Sequence, residues 1–241
     1  MLDNRTIGVV IPALNEELSI GKVLADIPGW VDDVVVADNG STDDTIAVAK
    51  SGGAKIGHAT QRGYGAACQA GIALLPDHDI IVFVDGDYSD YPQQMDGLVL
   101  PILNGTSDLV IGSRRLGTRA KGSLTLPQMF GNWLACCLIK VFWKTTFTDL
   151  GPFRAIARNK LETLNMTDQA FGWTVQMQLR AVQENLNIME VPVDYRQRIG
   201  KSKISGTVKG TLLAGYAIIG TILVTAIRDR TRKNRARLQT K

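Results

Sequence analysis

Short apolar runs alternate with amphipathic stretches along the first half of the chain. Thr6–Ile11 (TIGVVI) is an apolar run stopped by Pro12, the pattern of a strand buried on both faces. Glu17–Ile27 places Leu18, Val23 and Leu24 at helical spacing. Asp33–Ala37 (DVVVA) predicts a second strand. Ser41 or Thr42 can cap a helix running to about Ser51, broken by Gly52-Gly53. Ala54–Gly57 predicts a third strand, Tyr64–Leu75 a helix stopped by Pro76, Asp79–Val84 a fourth strand and Asp108–Ile111 a fifth. Such alternation predicts an α/β domain with a mostly parallel sheet covered by helices on both faces. Ligands of such sheets bind beyond the carboxyl ends of the strands, so the loops there are the place to look for chemistry.

Those loops are acidic. Asp38-Asn39-Gly40-Ser41-Thr42-Asp43-Asp44 follows the second strand and Asp85-Gly86-Asp87-Tyr88-Ser89-Asp90 the fourth; Gly112-Ser113-Arg114-Arg115 follows the fifth. Residues 1–109 hold sixteen acidic and five basic residues. An acidic rim repels a phosphorylated ligand unless a divalent cation lies between them. Asp85 and Asp87, two residues apart at a strand end, can both address one Mg²⁺ or Mn²⁺, with Gly86 leaving room for a ligand. Asp38 either caps the following helix or accepts hydrogen bonds from a nucleobase edge, the second being favoured because Ser41, Thr42 and Asp43 can do the capping. Arg62-Gly63-Tyr64-Gly65 opens a helix, but Cys68 stands three places after Gly65, where the dinucleotide fingerprint needs Gly or Ala. No P-loop and no Gly-x-Ser-x-Gly sequence is present.

Composition narrows the class. The 241 residues are 45% hydrophobic and 21% charged, which excludes a disordered chain or a collagen. Three cysteines, an odd number with no Cys-x-x-Cys, exclude a disulfide framework, and with only two histidines they argue against a structural zinc. The N-terminus shows no basic stretch followed by an apolar run, so the expected place is the cytosol or its membrane face. The net charge of +4 is uneven: residues 1–195 carry 15 Lys/Arg against 22 Asp/Glu, residues 196–241 carry 12 against Asp229 alone. A basic end on an acidic body points to an anionic partner such as phospholipid, nucleic acid or a phosphorylated substrate.

Taken together, the loops resemble family-2 glycosyltransferases of the GT-A fold, in the branch of dolichyl-phosphate mannose synthase and bacterial polyprenyl-phosphate glycosyltransferases. The matching stretches are Ile11–Glu17, Val36–Asp43, Arg62–Ala67, Val84–Asp87, Ile111–Arg114, Thr148–Arg154 and Arg198–Lys203. The resemblance implies a metal-dependent, inverting transfer of a hexose from a UDP- or GDP-sugar to a polyprenyl phosphate or other lipid acceptor, with no nucleic acid among the partners. Pro12, Ala13, Asn15, Glu16, Asp38, Arg62, Gly63, Asp85 and Gly86 would bind the nucleotide. Asp85 and Asp87 would hold Mg²⁺ or Mn²⁺. Asp87, Arg114, Arg154, Arg198 and Lys203 would form the catalytic set, its cations gripping donor and acceptor phosphates. Ser89 stands where relatives often carry Gln. Gln176 stands where many carry an acidic general base, which favours an already ionised phosphate acceptor; Asp149 and Asp168 remain alternative bases. Glycosylation of a hydroxyl, or a non-catalytic sugar-nucleotide or anionic-lipid binding module, are the competing readings.

The catalytic domain is expected over residues 1–205 and a membrane-association segment over 206–241. Gly210–Ile227 is an uncharged stretch of eighteen residues, at the lower limit for a bilayer span. Seven Lys/Arg follow in residues 228–241 and prefer the cytosolic side, where the catalytic body must also lie. One span cannot leave both flanks on one side, so a helix lying in the interface of an anionic membrane, backed by a polybasic tail, is expected, with a core helix as alternative. Phe130–Trp143 is too short to span; it is either a core helix or a membrane-facing wall beside the lipid acceptor.

Overall fold

The computed structural model describes residues 2–200 and 208–239, the side chains of 208–214 and 232–239 excepted. Among them one seven-stranded sheet forms, in the order β3-β2-β1-β4-β6-β5-β7. The strands are β1 (Ile7–Ala13), β2 (Asp33–Asp38), β3 (Lys55–His58), β4 (Ile80–Phe83), β5 (Leu109–Ser113), β6 (Arg154–Ala157) and β7 (Ile188–Pro192). All run parallel except β6, which is inserted antiparallel between β4 and β5. The five expected strands form within a residue or two of their expected bounds. β6 and β7 complete the sheet beyond them.

Successive residues of the central strands enter two cores. Val10, Ile81, Phe83, Ile111 and Ile156 pack on one face under α3 (Tyr64–Ala73), α5 (Leu126–Trp143) and α7 (Trp173–Gln183). Val9, Ile11, Val82, Val110 and Ala155 pack on the other under α1 (Ile20–Ala25), α2 (Thr45–Ser51) and α4 (Met95–Leu103). This double burial explains why these strands read as continuous apolar runs. A short α6 (Arg158–Thr163) follows β6.

α5 begins at a capping box: Thr125 Oγ1 accepts from Gln128 N, and the Gln128 side chain accepts from Thr125 N. It buries Ala135, Cys136 and Ile139 and leaves Leu126, Phe130, Trp133 and Val141 exposed in a row at helical spacing. The inner side of Phe130–Trp143 is thus a core helix, and its outer side is apolar and exposed.

α8 (Val208–Gln239) lies against α5 and α7. Ile222 is fully buried in the core, and Ile218 packs against it. The Asp229 carboxylate accepts from Trp143 Nε1 at 2.8 Å and from Gln183 Nε2 at 2.8 Å. Tyr216, Leu223, Val224 and Ile227 face solvent. α8 thus has an inner edge belonging to the domain and an outer apolar one. Among the described residues no helix is long and apolar enough to cross a membrane.

Candidate active site

The parallel strands deliver their acidic loops to one edge of the sheet, where β1 and β2 end side by side, Ala13 opposite Asp38. Because β6 runs the other way, it brings the loop before it, Thr148–Phe153, to the same edge. Arg154, its first residue, is paired with both Phe83 and Ile111. The loop after β5 thereby meets Thr148–Phe153, with Gly112 N donating to Phe153 O at 2.8 Å.

A cavity of about 360 Å³ opens there. Of the expected nucleotide and metal residues, Pro12, Ala13, Glu16, Arg62, Gly63, Asp85, Gly86 and Asp87 line it, with Arg198. A Cβ at Gly86 would lie 3.3 Å from Pro12 O, so the acidic loop packs tightly on the end of β1. Asn15 and Asp38 stand behind the wall. The Asn15 side chain accepts from Thr42 N at 2.8 Å, and the Asp38 carboxylate accepts from Gly40 N and Ser41 N at 3.1 and 3.0 Å. Asp38 therefore braces its own turn, where a helix cap or a nucleobase contact was expected, and Asn39 takes the place in the lining.

α3 starts hard against residues 168–170. Gly65 N donates to Ala170 O and Ala66 N to Gln169 O. A Cβ on Gly63 would lie 1.9 Å from Gln169 O, and one on Gly65 2.2 Å from Asp168 O. Gln176 holds this segment from the other side: its Oε1 accepts from Thr167 N and Asp168 N, both at 2.9 Å. The missing acid at Gln176 is thus a loop clamp. Gly65→Ala is expected to displace the 168–171 loop, lower the melting temperature by several degrees and weaken nucleotide binding at least tenfold by calorimetry, because backbone rather than a flexible side chain stands in the way.

Three carboxyl groups crowd the loop after β4. Tyr64 Oη donates to Asp85 Oδ1 at 3.0 Å. Burial, then the adjacent Asp87 charge, push the Asp85 carboxyl up to about 7. Asp90, 1% exposed, is pushed up by burial and by the charges of Asp85 and Asp87. Asp87 Oδ1 accepts from both the backbone N and the hydroxyl of Ser89. Ser89 orients a carboxylate rather than serving as a further ligand. Among the described residues no group of three or more His, Cys, Asp or Glu side chains is arranged to hold a metal. Two neighbouring carboxylates in a cavity of nucleotide size are nonetheless the oxygen set that Mg²⁺ or Mn²⁺ uses when diphosphate and water complete its shell. The residues fit such an ion.

A second cavity of about 620 Å³ adjoins the first, sharing Tyr64 and Phe171 with it. Arg114, Arg115 and Arg119 stand in its wall; Leu124, Leu126, Phe130, Trp133 and Ile218 supply apolar lining. Arg114 donates through Nε and Nη2 to Asp149, both at 2.7 Å. Burial alone would raise the Asp149 carboxyl, but the Arg114 charge and hydrogen bonds outweigh it and hold it below its usual value. Arg115 and Arg119 are exposed, with no ion-pair partner among the described residues.

Arg154 requires a correction. It was expected to grip phosphate, but it is 1% exposed, lines neither cavity and donates to the carbonyls of Gly151, Thr174 and Leu150. Burial pushes its guanidinium down to about 10. It ties Thr148–Phe153 to α7. Lys203 lies outside the described residues. Tyr64, Asn39, Phe171, Arg115 and Arg119 were not assigned beforehand. The Arg-Arg pair after β5 was the available signal for one of them.

A mostly parallel sheet, an acid pair in a nucleotide-sized cavity at its carboxyl edge and a second cavity beside it define a nucleotide-sugar transferase of the GT-A fold. The chain belongs to glycosyl transferase family 2, whose family model matches residues 8–171. It is 34% identical over 209 residues to an uncharacterised glycosyltransferase of Mycobacterium tuberculosis, covering 86% of this chain and 93% of that one. It is 33% identical over 223 residues to a dolichyl-phosphate hexose transferase of Haloferax volcanii, covering 90% and 92%. Among solved structures it resembles glucosyl-3-phosphoglycerate synthase from Mycobacterium tuberculosis in complex with Mn²⁺, uridine diphosphate and glucosyl-3-phosphoglycerate, with a TM-score of 0.76 at 26% identity, covering 92% of this chain and 80% of that chain. The protein is a glycosyltransferase.

Proposed function

We propose that this enzyme moves a hexose from a UDP- or GDP-sugar to a polyprenyl phosphate at the cytosolic face of a membrane, with a divalent cation held by Asp85 and Asp87. The observation that carries the reading is the second cavity: arginines in its wall, apolar lining beside them, and a lip of Leu126, Phe130 and Trp133 that continues onto the exposed row of α5. A phosphate seated at Arg115 and Arg119 has an apolar path for its chain. The bound cation would screen the leaving diphosphate. Tyr64 holds Asp85 in position, and Phe171 marks the passage from donor to acceptor cavity. Among the described residues the only carboxylate lining the acceptor cavity is Asp149, which Arg114 locks, and Gln176 clamps its loop. A phosphate monoester, whose second ionisation is near pH 6, needs no base. The comparison with glucosyl-3-phosphoglycerate synthase favours a second reading, a small phosphorylated acid as acceptor. The apolar lining weighs against it.

The deciding experiment offers UDP- and GDP-hexoses with undecaprenyl phosphate or 3-phosphoglycerate and identifies the product by mass spectrometry. A sugar phosphodiester of the lipid, labile to mild acid, is expected. A sugar on a hydroxyl, with no phosphate in the linkage, overturns the reading. Arg115→Ala and Arg119→Ala are each expected to raise the acceptor KM about tenfold, one charge-assisted contact being worth ~1.5 kcal/mol, and to leave the donor KM unchanged.

Membrane docking is expected through the outer edges of α5 and α8 and the basic tail. Val141 and Ile227 are 72% and 66% exposed and belong to neither cavity. The double substitution Val141→Asp and Ile227→Asp should abolish flotation with phosphatidylglycerol vesicles while transfer to a short, water-soluble prenyl phosphate persists. Undiminished flotation would refute docking on these helices.

A further inference from the structure

The Arg198 guanidinium lies between two carboxylates of the donor cavity. Its Nη1 is 3.2 Å from Asp87 Oδ2, and its Nη2 is 3.2 Å from Glu16 Oε1. Its Nε is buried without a hydrogen-bond partner among the described residues, so the group is held by two ion pairs and not by a saturated network. The backbone beneath it is fixed. Ile199 N donates to Asp87 O and Arg196 N to Ser89 O, both at 2.9 Å. Arg196 donates through Nε to Tyr88 O at 2.7 Å and through Nη2 to Asp90 O at 3.0 Å, with its guanidinium 3.3 Å from the Tyr88 ring centroid and 4.2 Å from that of Tyr91. Arg196 thus rivets the segment after β7 to the acidic loop. The side chain of Arg198, 31% exposed, stands on this fixed base with its guanidinium in the lining of the donor cavity.

We infer that Arg198 is the resident counter-cation of the donor site, competing with the divalent ion for Asp87 and released toward the donor diphosphate when that ion binds. The inference rests on the reading of Asp85 and Asp87 as the metal pair. A divalent cation on Asp87 and the guanidinium on its Oδ2 neutralise the same charge and repel each other, so Arg198 opposes the ion until a diphosphate offers the guanidinium new oxygens. The coupling is reciprocal: donor tightens metal as much as metal tightens donor. An empty site then stays charge-compensated, and the ion is retained chiefly in the presence of donor.

The test measures Mn²⁺ binding to the full chain by electron paramagnetic resonance of the free ion, with and without UDP. Without nucleotide, Arg198→Gln should lower the Mn²⁺ Kd about tenfold, within the usual range of site-to-site coupling, while Arg198→Lys, which keeps the charge, stays near the wild type. UDP should tighten Mn²⁺ more in the wild type than in Arg198→Gln. Should the Gln variant not fold, Arg198→Met carries the same expectation. An unchanged or raised Kd in the charge-removing variant, or equal tightening by Lys and Gln, overturns the inference. Asp87→Asn separates the two levels. If it abolishes Mn²⁺ binding and Arg198→Gln changes nothing, only the competition is wrong; if Mn²⁺ binding survives Asp87→Asn, the metal pair is wrong and the competition with it.

Discussion

Asp87→Asn is expected to lower sugar transfer by about three orders of magnitude, the loss of several kcal/mol of charge stabilisation at the leaving diphosphate, with little change in melting temperature. Asp87 is not the surface carboxylate that its place at a strand end suggested: it is 6% exposed. The fold survives for a different reason. Asn is isosteric, and its side-chain oxygen still accepts from the Ser89 backbone N and hydroxyl, as Asp87 Oδ1 does. What it lacks is the charge that a hard cation requires. Transfer of radiolabelled sugar, measured with and without EDTA beside a melting curve, checks this. Full activity in the variant, or in EDTA, would remove the metal from the mechanism.

The largest effect on stability is expected at Arg154. Arg154→Ala removes donors from the carbonyls of Leu150, Gly151 and Thr174 and leaves a cavity beneath β6. Buried polar groups left without partners and lost packing together predict about 3–5 kcal/mol, or roughly 10 °C in melting temperature for a chain of this size. Arg154→Lys should rescue little, since one ammonium cannot span three carbonyls. Urea denaturation gives the number. A variant of native stability that fails only in transfer would return Arg154 to the phosphate-binding role and reverse the correction above.

The donor half of the site was legible because its strands are apolar runs and its loops follow them directly. Position relative to a strand end pointed to Asp85 and Asp87 and the resemblance added Pro12 and Glu16; all four line one cavity. Direction within a loop was not. Asp38 and Asn15 belong to the right loops, yet their side chains turn back to neighbouring amides, a choice made by local geometry. Arg154 shows the complementary failure. A charged residue in a matching motif reads as a ligand, whereas insertion of β6 in the middle of the sheet buries it. β6 and β7 were missed because Arg154 opens the one and Glu190 interrupts the other, so neither reads as an apolar run. α8 showed apolar residues at helical spacing, but which of its edges faces the protein depends on Trp143 and Gln183, far away in sequence.

The place of β6 also sets a schedule for synthesis. β4 must wait for a partner some seventy residues downstream: Ile81 pairs with Ile156. At translation rates of ~5–20 residues per second, the apolar edge Ile80–Phe83 stays unpaired for roughly 4–15 seconds, and β5 for part of that time. Collapse of a nascent chain takes far less than a second, so this edge is presented to other chains before its own neighbour exists. Nascent chains stalled near residue 150 should therefore be held by chaperones, while chains stalled past the sheet-completing β7 should resist protease. Equal protease resistance at the two lengths would show that β1, β2 and β4 close the sheet without β6.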